Sequence, residues 1–144
     1  MDPITTVLIA GATIVLKEVT SQVVKDAYAG LKHLLAAKVL TIPALEKAPT
    51  NEKLQQAVGE EVRLAKAMED PIVLVRAREL AEAIAQEPYE RMAEAGVDIA
   101  QIRATGEILV KNLSAAGGVT IKDIDARGGS VHIEGISAGR RPTN

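Results

Sequence analysis

The feature that most constrains this chain is a repeat in its last third. Four segments share apolar residues at positions 1, 3 and 6, an Ala at position 8 and, in the first three, a Gly at position 10. The copies begin at Val97, Ile108, Val119 and Val131, so the spacing is 11, 11 and 12 residues. A fixed period predicts one small unit stacked on itself, each copy burying its neighbour. Such a unit can also stack between molecules, which favours assembly over catalysis as the task of this region.

The repeat predicts short strands in one of two architectures. Positions 1 and 3 face the same way on a strand, and position 6 breaks that alternation, which indicates a bend. In a β-solenoid each copy is one rung of 11–12 residues, and equivalent residues lie about 4.8 Å apart. In an antiparallel meander each copy is one strand joined to the next by a turn. The close match in size between equivalent positions favours the solenoid, or an intermolecular stack of such rungs.

So short a stack would present unpaired backbone groups to another chain at its ends. Low charge and Val/Ile-rich strands are typical of cross-β assemblies. A self-contained β-domain that the helices close off is the alternative. On the assembly interpretation, contacts are carried by the apolar positions of all four copies: Val97, Ile99, Ile102, Ile108, Val110, Leu113, Val119, Ile121, Ile124, Val131, Ile133 and Ile136.

The residues upstream of the repeat have helical spacing. Asp2 as a cap and Pro3 in the first turn predict a long helix over residues 3 to about 38. Breaks at Pro43 and Pro49 separate it from three shorter helices, the first capped by Thr50 and the second by Asp70. We therefore expect an α+β protein: a helical bundle over 1–95, the β-repeat over 96–139 and a tail over 140–144.

The first half of the long helix has apolar residues around its whole axis. Such a helix is either the central helix of a bundle, buried on all sides, or prone to insert into an apolar phase. Its uncharged run of 13 residues is too short for a single-helix span, which takes about 20. Insertion would then be a property of an oligomer that thins or lines a membrane. The residues that would contact lipid are Ile4, Val7, Leu8, Ile14 and Leu16.

Composition argues against several functional classes. The net charge of −2 leaves no basic field to attract nucleic acid. The lack of Cys excludes disulfides, thiolate catalysis and Cys-based metal sites. His33 and His132 occupy polar positions without a second His at ligand spacing. We expect neither an enzyme nor a cofactor or metal, and a cytoplasmic protein that associates with membrane on activation.

Two N-terminal stretches, residues 1–10 and 16–32, resemble a class of small bacterial proteins with a Bell-type helical domain and a C-terminal amyloid-signalling motif. The resemblance is strongest over residues 1–37, and Lys25-Asp-Ala-Tyr-Ala-Gly-Leu-Lys32 is its most specific part. Members are regarded as bacterial relatives of fungal HeLo-type and necroptotic four-helix executioners. The resemblance implies an NLR-like receptor whose matching motif templates that of the effector, after which the clustered helical domains attack the membrane.

The expected function is therefore a non-enzymatic effector of the cell-death or defence type. The C-terminal β-repeat would cluster the chain so that the helical domain acts on membranes. The expected partners are further copies of the chain in a homo-oligomer or filament, an NLR-like receptor and membrane lipid, but no nucleic acid. The alternative is a filament-forming or oligomeric scaffold without membrane activity.

Overall fold

The computed structural model describes residues 1–18 and 21–115, which form seven α-helices and one 3₁₀ turn. The turn, Ala67–Glu69, lies between the fourth and fifth helices. The helices are α1 (Pro3–Lys17), α2 (Gln22–Leu35), α3 (Ile42–Lys47), α4 (Glu52–Leu64), α5 (Pro71–Ala85), α6 (Tyr89–Glu94) and α7 (Ile99–Ala115).

The predicted α+β fold is wrong, since no strand occurs within residues 1–18 and 21–115. The first two copies of the expected β-repeat lie mostly in α7, one continuous helix. A period of 11 residues equals three turns of about 3.67 residues each, so equivalent positions share a face of a helix as readily as they stack in a solenoid. Ile102 and Leu113, one period apart, are accordingly both buried on the inner face of α7. The copies that begin at Val119 and Val131 lie outside the described residues.

The predicted long first helix is also wrong, because the chain breaks it in two. α1 ends at Lys17, and Glu18 adopts a left-handed conformation with φ of 56°. α2 begins after Ser21, whose hydroxyl oxygen accepts the amide N–H of Val24 at 3.4 Å. Ser and Thr favour the N-cap over the helix interior because their hydroxyls compete for backbone groups. The Thr20-Ser21 pair is the signal for this break.

Side-chain caps also define the starts of α1, α4 and α5. Asp2 accepts the amide of Thr5 at 2.8 Å, and Asp70 accepts the amide of Ile72 at 3.0 Å, as predicted for both residues. At the start of α4 the cap is Asn51, one residue later than the predicted Thr50. An N-cap of this kind contributes about 1 kcal/mol, because it satisfies an amide that the helix leaves without a partner.

α1 is the central helix of the bundle. It contacts α2, α3, α4, α5 and α7, and nine consecutive or near-consecutive residues between Ile4 and Ile14 are buried. The most extensive contact between two helices is that of α5 with α7, which pack against each other along their lengths. Because the chain lacks Phe and Trp, aliphatic side chains and alanines fill nearly all of the core. Of the two interpretations of the apolar N-terminal run, the structure thus has the central helix that is buried in the bundle.

The tightest contact of α1 is at Gly11, where the ring of Tyr28 packs directly on the backbone. A Cβ atom built on Gly11 would lie 2.6 Å from Cδ1 of Tyr28 and 3.2 Å from Cδ2 of Leu80. The ring cannot easily move away, because the Tyr28 hydroxyl donates a hydrogen bond of 2.8 Å to Glu46 on α3. Only a glycine therefore allows α2 this approach to α1.

We expect Gly11→Ala to lower the free energy of unfolding by about 1–3 kcal/mol, the usual result of overpacking a filled core. The matched control is Gly106→Ala on α7, where the new Cβ would meet Cβ of Ala81 at 3.6 Å, an ordinary contact. That control should gain up to about 1 kcal/mol from helix propensity. Urea unfolding of both variants tests this, and equal stabilisation by the two substitutions would refute the close contact.

Candidate functional site

The candidate site is the surface of α1 that faces the bundle. Four of the five residues predicted to contact lipid, Ile4, Val7, Leu8 and Ile14, have no exposed surface, whereas Leu16 is 51 % exposed. The structure brings the four together inside the core rather than on an outer face. Any contact between them and lipid would therefore require α1 to leave its position in the bundle.

The polar side chains of α1 form their hydrogen bonds within the helix and its cap. The Thr5 hydroxyl donates to the Asp2 carboxylate at 2.6 Å, and the Thr6 hydroxyl donates to the Asp2 carbonyl at 3.1 Å. The Thr13 hydroxyl donates to the Ile9 carbonyl at 2.8 Å. Within residues 1–18 and 21–115, no side-chain hydrogen bond or ion pair joins α1 to another helix. Among the described residues, the contacts between α1 and the other helices are therefore apolar.

The connection between α1 and α2 has a different character. Ser21, which caps α2, also donates its hydroxyl proton to the carboxylate of Glu87 at 2.7 Å. Glu87 follows α5, its side chain is only 9 % exposed, and Arg91 lies 3.9 Å away. The start of α2 is thus attached to the end of α5 by polar contacts that do not involve α1.

Of the residues predicted to carry assembly, six lie in the described part of the chain and six do not. Val97, Ile99, Ile102 and Leu113 are buried against the bundle. Val110 is half-buried, and Ile108 is 46 % exposed on the outer side of α7. The remaining positions lie outside the described residues: Val119, Ile121, Ile124, Val131, Ile133 and Ile136.

A groove between α5 and α7 is a feature that the sequence analysis missed. Its volume is about 510 Å³, and small or apolar residues that include Ala81, Ala85, Gly106 and Val110 line its centre. Charged residues form its edges: Arg78, Glu82, Arg103, Glu107 and Lys111. The signal in the sequence was the helical spacing of Ala81, Ala85 and Gly106, which becomes informative only once α5 and α7 are known to pack together.

A polar network around the buried Tyr28 links α2 and α3. Tyr28 is only 4 % exposed, and Glu46 accepts both its hydroxyl proton and, at 2.8 Å, the ammonium group of Lys32. Burial, followed by the hydrogen bond and the negative charge of Glu46, raises the pKa of Tyr28 far above its ordinary value. The network contains no His, and no group of three or more His, Asp or Glu suited to a metal occurs in the described part of the chain.

The raised pKa of Tyr28 predicts how stability depends on pH. In the unfolded chain Tyr28 ionises near pH 10, whereas the folded protein keeps its proton, so the contribution to stability is present below that pH and is lost as the pH rises. We expect the unfolding free energy of the wild type to fall, relative to Tyr28→Phe, by up to about 1.4 kcal/mol per pH unit above pH 10. Urea unfolding across this range tests it, and parallel pH profiles would contradict it.

Within residues 1–18 and 21–115, no helix combines the length and the apolar character needed to cross a bilayer. No curated protein and no solved structure matches the chain. A family model, however, matches residues 1–141, almost its entire length. That family, described as the Het-E N-terminal domain, is associated with fungal HET and NLR proteins and with the cell death of heterokaryon incompatibility. On this match, the chain belongs to the Het-E N-terminal domain family.

Proposed function

We propose that this protein is a non-enzymatic effector of the cell-death or defence type, and that clustering allows its α1 helix to act on a membrane. Membership of a family associated with heterokaryon incompatibility supports the class of effector. The observation that carries the membrane step is the surface of α1: apolar on all sides, buried and free of polar side-chain contacts to other helices within the described residues.

The hydrogen bonds of α1 make its transfer to lipid energetically feasible. A helix enters an apolar phase only if its polar groups keep their partners, since each unsatisfied group costs several kcal/mol there. Thr5 and Thr13 would take their acceptors with them, because Asp2 and the Ile9 carbonyl belong to the same segment. When α1 leaves the bundle, it loses apolar packing, and contacts with lipid tails can replace that packing.

The length of α1 favours shallow or collective insertion. Its 15 residues extend about 22 Å at 1.5 Å per residue, against about 30 Å for the hydrocarbon core. Several copies side by side can thin or perturb a bilayer that one copy cannot cross. Clustering is therefore a requirement of this mechanism and not an additional property.

The break after α1 separates it from the next helix. Glu18 ends α1 in a left-handed conformation. Beyond the break, the Ser21 contact with Glu87 keeps α2 attached to α5. α1 can then leave while this contact, which does not involve it, is kept.

We assign clustering to the apolar residues that follow α7: Val119, Ile121, Ile124, Val131, Ile133 and Ile136. Further copies of the chain are the first partners, and membrane lipid is the target. A Bell-type relationship would add an NLR-like receptor that triggers clustering through a matching segment. The protein would be cytoplasmic at rest and would associate with membrane once clustered.

A reversible covalent lock on α1 tests the membrane step. A Cβ built on Gly59 of α4 would lie 3.8 Å from Oγ1 of Thr5, so Thr5→Cys with Gly59→Cys places two thiols within reach of a disulfide in a chain that has no other cysteine. We expect the oxidised double variant to cause no dye leakage from anionic liposomes and the reduced form to regain it.

The two redox states of one protein are each other's control, and the Thr5→Cys single variant shows the effect of the lost hydroxyl. Equal leakage before and after reduction would rule out release of α1. Particles that form in both states but never cause leakage would instead favour the scaffold function.

Substitution of Ile124 tests the clustering step. We expect Ile124→Lys to abolish large particles in light scattering and, with them, liposome leakage, because a charge would be desolvated in any apolar contact between copies. The matched control is Gln101→Lys, an exposed position on α7. Particles of wild-type mass in the Ile124 variant would exclude this segment from assembly.

A further inference from the structure

The groove between α5 and α7 has unsatisfied polar and charged groups at its edges. Arg78 is only 4 % exposed, and although its guanidinium pairs with Glu82 at 2.7 Å, its Nε–H has no acceptor among the described residues. A buried donor without an acceptor costs about 1–3 kcal/mol, so few occur in native proteins. The Arg78 donor without an acceptor, beside an otherwise well-packed helix pair, indicates that a hydrogen-bond acceptor from outside the described residues belongs at this surface.

Two more cations at the groove have no carboxylate partner within the part of the chain that the structure describes. Arg103 reaches no acid, and its long hydrogen bond of 3.4 Å goes to the Ala85 carbonyl. Lys111, one turn beyond Glu107, forms no ion pair there either. The centre of the groove is apolar. Among the described residues its edge carries two unpaired cations, Arg103 and Lys111, and one unpaired carboxylate, Glu107, which leaves one net positive charge. An occupant should therefore combine aliphatic side chains with carboxylates.

The segment that follows α7 has this composition. Between Val119 and Ile136 it carries six aliphatic residues of the repeat, the carboxylates of Asp123, Asp125 and Glu134, and two cations, Lys122 and Arg127, so that carboxylates outnumber cations by one. It starts four residues after Ala115, the last residue of the helix that forms one wall of the groove. A tether this short gives an effective concentration in the millimolar range, so even weak contacts would be occupied.

The family match covers both the groove and the segment that follows α7. The match does not end with α7 but continues to residue 141. The groove and the segment that would fill it therefore lie within the same family domain. A segment with the aliphatic side chains and carboxylates that the groove requires is therefore part of the same chain.

We propose that residues 119–136 bind in the α5–α7 groove of their own chain, with Asp123 and Asp125 facing Arg103 and Lys111. The segment bound there is the one to which clustering is assigned, so in this respect the inference rests on the proposed function. Groove binding keeps the segment away from other copies. Whatever competes for the groove, or for the segment, then frees the residues that assemble.

Cysteine trapping in the full-length chain tests this arrangement, since every introduced thiol is unique. Glu107→Cys is at the groove edge, and Thr120→Cys is in the segment and leaves Asp123 and Asp125 in place. We expect a short bismaleimide to link this pair within one molecule at high dilution. The control pair combines Thr120→Cys with Lys53→Cys, an exposed position on α4, which packs on α1, α3 and the 3₁₀ turn; it should not be linked.

Each other result overturns the proposal. Linked dimers without linked monomers would show that the segment binds a second copy. Equal linking of the test and control pairs, or none in either, would show that the groove does not hold it. None of these outcomes depends on leakage or on particle mass, so a failure here is distinct from a failure of the membrane or clustering steps.

Charge reversal adds a test of the recognition itself. Arg103→Glu with Lys111→Glu should abolish the link, because like charges would then face Asp123 and Asp125. Both positions are exposed, so the fold should tolerate the substitutions. Adding Asp123→Lys and Asp125→Lys should restore it, with Thr120→Cys kept as the reporter. If the link is lost in the double variant and does not return in the quadruple variant, the assigned charge pairs are refuted. If groove binding restrains clustering, the first double variant should also form particles faster than the wild type.

Discussion

The whole bundle depends on the burial of one aliphatic helix. Five other helices surround α1, and apart from the Tyr28 ring on Gly11 the contacts consist mainly of Val, Ile, Leu and Ala side chains. Burial of each Val, Ile or Leu side chain contributes about 1.5–3 kcal/mol. The same surface that organises the core is thus one that a bilayer could accept, because hydrophobic attraction does not distinguish between a protein interior and lipid tails. Stability and the proposed activity draw on a single set of atoms.

Polar contacts in this fold are arranged between the helices that surround α1. Ser21 joins the start of α2 to Glu87 after α5, Tyr28 and Lys32 join α2 to Glu46 on α3, and Thr41 joins Glu61 on α4 through hydrogen bonds of 2.9 and 3.0 Å. Hydrogen bonds are directional and specify geometry, whereas apolar packing is not directional. These hydrogen bonds join the surrounding helices to one another without involving α1, whose own contacts with the same helices are apolar.

The sequence predicted the helical region well where local signals decide the structure. Asp2-Pro3 and Asp70-Pro71 are cap and first-turn residues, and both helices begin there. It failed at Val97–Ala115, because an 11-residue period fits a strand repeat and a helix equally, and only the inward face offered by α5 and α1 decides between them. The groove at Arg78 could not be predicted, since it exists only between helices that are distant in sequence. The apolar character of α1 was evident, but its lack of polar contacts to other helices was not.

The break at Glu18 has a geometric consequence. A rod of 15 residues that leaves the bundle stays connected to Ser21 through residues 18–20, so its end at Pro3 can lie at most about 35 Å from the point fixed by Ser21 and Glu87. A bilayer farther away than this cannot be reached, however many copies gather. The protein would therefore have to approach the lipid with the α2–α5 junction facing it, and a membrane footprint would form around that junction.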